Sequence, residues 1–146
     1  SGSSLEPVMR SVALGILLVG CAPEATINVV EPPFLVDSYP GNGSVLPAEQ
    51  ATPLLFRFSK PMADAATANQ HIALELLDDS GEASATLPLS NCNASAEDLL
   101  LECPVNATMQ PGSRFRVTVG TGLTFLSGES LLSPHQRWFQ TLPESG

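Results

Sequence analysis

The chain has 146 residues, long enough for one domain of ordinary size with a real core. Its 15 acidic and 6 basic residues leave a formal charge of −9. The cations Arg10, Arg57, Lys60, Arg114, Arg116 and Arg137 are scattered rather than striped, which argues against a nucleic-acid binder. The 13 prolines and 11 glycines spread along the chain would interrupt most windows long enough for a helix, and they suit short strands joined by turns.

The chain opens on SGSSLEPV, residues 1–8, which read as a tag or linker remnant and are excluded from fold reasoning. Residues 9–20 follow: Met9, one positive charge at Arg10, and the apolar run SVALGILLVG. A membrane-spanning helix needs about 20 apolar residues, so this run is too short to span. It has the length of the apolar core of a secretory signal. Its ending, Leu18, Val19, Gly20 and Cys21, resembles the lipobox of bacterial lipoproteins. The resemblance implies that residues 9–20 are a lipoprotein signal peptide, cut off just before Cys21. It also implies that the Cys21 thiol carries a diacylglycerol, anchoring the protein to a membrane of the bacterial cell envelope. On the residues alone, a core strand with a buried cysteine stays open, although Gly15, Gly20 and the CAPEA ending make such a strand awkward.

Three cysteines leave one unpaired in an exported protein. With Cys21 taken by lipid, as that resemblance implies, Cys92 and Cys103 remain as a pair on either side of NASAEDLLLE, and a disulfide between them is expected. Two cysteines without C-x-x-C spacing and two histidines, His71 and His135, make no tetrahedral set. No metal site and no cofactor are expected.

Residues 21–33, CAPEATINVVEPP, read as a tether that lifts the domain off a membrane surface. Strand patterns then arrive at short intervals. FLVDSYP is the first and runs into the turn PGNGS, where Gly41 and Gly43 permit positive φ. PLLFRFS puts Leu54, Phe56 and Phe58 on one face. MADAATANQ is briefly helix-like. HIALELLDD turns Ile72, Leu74 and Leu76 inward, and DDSGE is a turn. SATLPLS and DLLLECP follow, the latter with Leu99, Leu101 and Cys103 on one face. RFRVTVG sets Phe115, Val117 and Val119 against Arg114, Arg116 and Thr118. RWFQT is the last, with Trp138 read as core, although alternation sends one of Trp138 and Phe139 outward. About seven short strands with turns between them predict an all-β, two-sheet antiparallel sandwich.

The phrases YPGNGSVLP, LLFRFSKPMADAATANQHIAL, MQPGSRFRVTVGTGLTFLSGESL and RWFQT, in this order, resemble the bacterial Ig-like domain of S-layer and cell-wall proteins. The resemblance covers residues 34–142 and implies an Ig-like antiparallel β-sandwich. Two positions depart from the family's pattern: Phe125 stands where an Asp is common, and Ala63 precedes Asp64 where Asp often follows Met directly.

No catalytic set emerges. Ser59 and Lys60 are neighbours on an extended strand and so point to opposite faces. His71 and His135 have Asp64 and Glu129 as conceivable acid–base partners, but nothing in the sequence joins them. The turn DDSGE, with Asp78, Asp79 and Glu82, lacks the spaced acidic ladder of a calcium loop. Asn42, Asn93 and Asn106 fit N-x-[ST] and are read as loop asparagines. The expected protein is a non-enzymatic, lipid-anchored envelope protein whose domain meets an envelope protein or polysaccharide. A carbohydrate-binding module and an accessory domain of an envelope enzyme are the alternatives.

Overall fold

Alternating apolar residues need a second apolar surface to face, and the chain supplies it with two sheets. The structure, a computed structural model, describes residues 31–144. The segment before them, including the apolar run and Cys21, lies outside the described residues. Nine strands form: β1 (Leu35–Tyr39), β2 (Ser44–Leu46), β3 (Leu54–Phe58), β4 (Ile72–Leu77), β5 (Ala83–Leu87), β6 (Asn93–Ser95), β7 (Leu100–Cys103), β8 (Arg114–Val119) and β9 (His135–Thr141). A four-stranded sheet runs in the order β1-β3-β7-β6 and a five-stranded sheet in the order β2-β9-β8-β4-β5. The architecture is a β-sandwich.

The core is the inner face of both sheets. Leu54, Phe56 and Phe58 of β3 are buried, with Leu101 of β7 from the same sheet. Leu74 of β4, Phe115, Val117 and Val119 of β8, and Phe139 of β9 come from the other sheet. Phe115 pairs with Phe139 across β8 and β9, and their rings stack at 5.1 Å. Phe58 meets Phe125 edge to face at 5.5 Å. Phe125, one of the departures noted above, is therefore a core residue, bridged to Met62 by a short antiparallel contact. Burying each of these large side chains is worth about 1.5–3 kcal/mol.

All seven expected strands form, and two more were not anticipated. β2 and β6 are three residues long, and SVL and NAS are too brief to show a period. The sheets are also not wholly antiparallel, because β2 runs parallel to β9. This pairing follows from the turn after β1, which carries the chain from the four-stranded sheet to the five-stranded one. Of the two glycines expected to supply positive φ there, only Gly43 does so, at 82°. MADAATANQ forms no α-helix, only a 3-10 turn over Ala68–His71.

Cys92 and Cys103 are joined in a disulfide. Asn93 pairs with Glu102, so the bond closes the base of the β6–β7 hairpin and lies within the core. The hairpin turn holds Ala96, Glu97 and Asp98 at φ 53°, 60° and 66°. Left-handed backbone costs a non-glycine residue about 1–2 kcal/mol. The disulfide counters that tendency to open, as do the hydrogen bonds from Met62 N–H to the Asp98 carbonyl (2.8 Å) and from Phe58 N–H to the Leu99 carbonyl (2.9 Å).

Replacing both cysteines (Cys92→Ala with Cys103→Ala) will lower stability by about 3 kcal/mol through release of the closed loop. Phe115→Ala will cost about 3–5 kcal/mol by emptying the centre of the core. Urea unfolding of each variant against the unmodified chain measures both.

Candidate functional site

The residues singled out from the sequence do not converge. Ser59 and Lys60 each have another partner. Ser59 Oγ accepts a hydrogen bond from Phe34 N–H at 2.9 Å, and Lys60 Nζ donates to Glu129 Oε1 at 2.7 Å. The Lys60–Glu129 pair clasps the loop after β3 to the loop before β9. Neither His71 nor His135 is hydrogen-bonded to Asp64 or Glu129 among the described residues; Asp64 instead accepts from Thr67 Oγ1. Asp78 turns inward on its own loop, where Oδ1 accepts from Ser80 N–H, Ser80 Oγ and Glu82 N–H at 2.7–2.9 Å. Among the described residues no three His, Cys, Asp or Glu side chains gather closely enough to hold a metal ion. Cys21 lies outside the described residues.

Three of these groups have perturbed proton affinities. The hydrogen bond from Lys60, with a smaller one from Ser127, holds the Glu129 carboxyl below its ordinary pKa. The Ser80 hydroxyl, then the Glu82 N–H, do the same for Asp78. Desolvation, with the nearby Arg137 charge, pushes the His135 imidazole down.

A different residue marks the surface. Trp138, read as core, is 43% exposed. In β9 the buried residues are Phe139 and Thr141, so the intervening Gln136, Trp138 and Gln140 point to the outer face of the five-stranded sheet. The Thr141 hydroxyl is satisfied inside, donating to the Gln110 carbonyl at 2.6 Å. The Trp138 backbone is held from both sides by the turn before β2. Its N–H donates to Asn42 Oδ1 at 2.8 Å, and its carbonyl accepts from Gly43 N–H at 2.6 Å.

Beside Trp138 lies a groove of about 340 Å³. Gln140, Arg114 and Leu77 stand in register across β9, β8 and β4 and line it. Gly43 and Gly81, from turns on opposite sides, flank it without side chains. Arg114 Nη2 donates to the Asp78 carbonyl at 2.9 Å, which steadies the guanidinium. In the next row Arg116 sits opposite Trp138, and its guanidinium pairs with Glu75 at 2.8 Å. Arg114 has no such carboxylate among the described residues, and no described Asp or Glu lines the groove. Sequence reasoning passed over this face, yet a signal was present: Trp138 shares its parity with Gln136 and Gln140, and Phe139 shares its parity with Thr141.

No family model matches the chain, and no curated protein matches it. Solved structures do. The S-layer protein rSbsC aligns over 79% of this chain with a TM-score of 0.56 and 16% identity, and the match covers 14% of that much longer chain. CopC from Methylosinus trichosporium OB3b aligns over 78% of this chain and 97% of its own, with a TM-score of 0.50 and 14% identity. PcoC, a copper resistance protein from Escherichia coli, aligns over 74% of this chain and 98% of its own, with a TM-score of 0.50 and 12% identity. At these identities the shared property is the fold, a β-sandwich of the type found in bacterial S-layer domains.

The perturbed groups give the fold a signed pH dependence. His135 binds its proton less readily folded than unfolded, so stability falls as pH drops below about 6.5. The Lys60–Glu129 clasp contributes above the ordinary glutamate pKa and is lost as pH falls through the lowered one, from about pH 4.5 downward. Thermal midpoints across pH 3–8 will show Glu129→Gln flattening only the acid slope, where Asp78 keeps a share, and His135→Asn removing only the upper one.

Proposed function

We propose that this chain is a lipid-anchored, non-catalytic protein of the bacterial cell envelope that presents a β-sandwich to an envelope polysaccharide or protein. The observation that carries the reading is the cysteine accounting. The sequence holds three cysteines, and the fold joins Cys92 to Cys103. Cys21 is the one left, at the end of LVGC, where a lipobox has its acylated thiol.

The remaining parts fit the same arrangement. Residues 9–20 act as the signal and residues 21–33 as the tether, whose last residue, Pro33, is already fully buried, and residues 34–142 form the presented domain. A disulfide suits an oxidising compartment. Sandwiches of this fold occur in an S-layer protein and in a copper resistance protein, which supports an envelope setting and a binding or structural role. The carboxylates considered for acid–base work, Glu129 and Asp64, accept from Lys60 and Thr67 instead, which supports a binding reading. The mechanism is presentation: Cys21 anchors, the tether spaces, and the rigid sheets offer a surface.

Expressed in a bacterium with an intact lipoprotein pathway, the unmodified chain will take up labelled palmitate and fractionate with membranes. Cys21→Ser will abolish the label and release the protein to the soluble fraction. An unlabelled wild type, with Cys21→Ser still membrane-bound, would falsify the anchor.

A further inference from the structure

We propose that the groove beside Trp138 is a binding site for an acidic glycan, with a pyranose ring packed on the indole and its carboxylate on Arg114. The proposal deepens the reading above by naming the partner's chemistry. It takes from that reading only the envelope as the source of glycan.

The geometry selects the ligand class. Trp138 offers an exposed indole whose electron-rich face attracts the C–H groups along one side of a pyranose ring. Along the same strand stand groups suited to hydroxyls, Gln136 and Gln140. The groove, at about 340 Å³, lies at the small end of ligand sites, which run from about 300 to 1,000 Å³. Gly43 and Gly81, glycines that their turns require at φ 82° and 88°, flank it without side chains. The Trp138 backbone is tied to Asn42 and Gly43, so the indole is presented from a fixed strand.

A protein partner adding a strand does not fit here. The groove overlies β9, β8 and β4, and each of these is already paired on both sides, so no backbone groups are free. A greasy interface does not fit either, because Trp138 is the one exposed apolar residue lining the groove, with Leu77 half-buried beside it.

Charge then selects among glycans. The protein carries −9 overall, yet no described carboxylate lines this groove. Arg116 is neutralised by Glu75. Arg114 is not paired with any described carboxylate, and it spends one N–H on the Asp78 carbonyl. The Asp78 carboxylate is engaged by its own turn. Arg114 thus presents an unmatched guanidinium beside the indole, which suits a carboxylate on the sugar.

Trp138 is the chain's one tryptophan, so its fluorescence reads the site directly. The test uses the 146-residue chain carrying Cys21→Ser, titrated with a short oligouronate and with the same oligosaccharide after its carboxyls are reduced to alcohols. Saturable fluorescence change with the oligouronate is expected, at least about tenfold tighter than with the reduced form. By calorimetry, Trp138→Ala and Arg114→Gln, each checked for an unchanged thermal midpoint, should each weaken oligouronate binding by about tenfold or more. Arg114→Gln should leave binding of the reduced form unchanged. No saturable response to the oligouronate, equal affinity for both sugars, or full binding by a folded Trp138→Ala variant overturns the proposal. These outcomes are separable from the anchor: the palmitate experiment does not involve the groove, and the titration does not involve Cys21.

Discussion

Side chains on a strand alternate between two faces, and that constraint builds both the interior and the surface of this protein. Phe115, Val117 and Val119 enter the core, so Arg114, Arg116 and Thr118 must leave it. Phe139 and Thr141 are buried, so Gln136, Trp138 and Gln140 face out. The cross-strand stack of Phe115 on Phe139 sets β8 and β9 in register. The same register puts Arg116 opposite Trp138 and Arg114 opposite Gln140 on the other side. The candidate site is the reverse face of the core. Its spacing is set by packing that has nothing to do with any ligand.

The loops are then fastened one by one. The disulfide holds the β6–β7 hairpin, whose turn keeps three non-glycine residues in the left-handed region. Lys60 and Glu129 tie the loop after β3 to the loop before β9. Phe125 drives that second loop into the core against Phe58. An Asp at this position would bring an unpaired carboxylate into an apolar contact, so the departure from the Ig-like pattern is a packing decision. Gly43 supplies the turn that moves the chain between sheets, and its N–H also holds the Trp138 carbonyl. One turn therefore serves the topology and the placement of the surface aromatic.

A site on a sheet face differs in kind from one on loops. The backbone beneath it is paired on both sides, so little order is lost when a ligand binds. The face is also a narrow electrostatic exception. An acidic chain places Arg114 and Arg116 side by side on it and answers only one of them, through Glu75. LVGC and the groove lie on separate parts of the chain, so the proposed anchor and the proposed glycan site are independent of one another.

The sequence by itself determined the all-β class, the seven longer strands and the inward faces of β3 and β8. These follow from a two-residue period that can be read locally. It also determined the cysteine parity, and it alone carries the case for Cys21. Tertiary structure decided what depends on partners distant in sequence. β2 and β6 exist because neighbouring strands pair with them; three residues carry no period of their own. Trp138 lies outside because the core takes Phe139 and Thr141, a choice between two parities that only the packed sheet makes, although the flanking glutamines hinted at it. The difference between Arg114 and Arg116 is not legible in RFRVTV either. Glu75 lies 41 residues away and reaches Arg116 only once β4 and β8 pair in their particular register. Alternation is local and survives in the string of letters, whereas pairing and register are settled by which surfaces can be buried together.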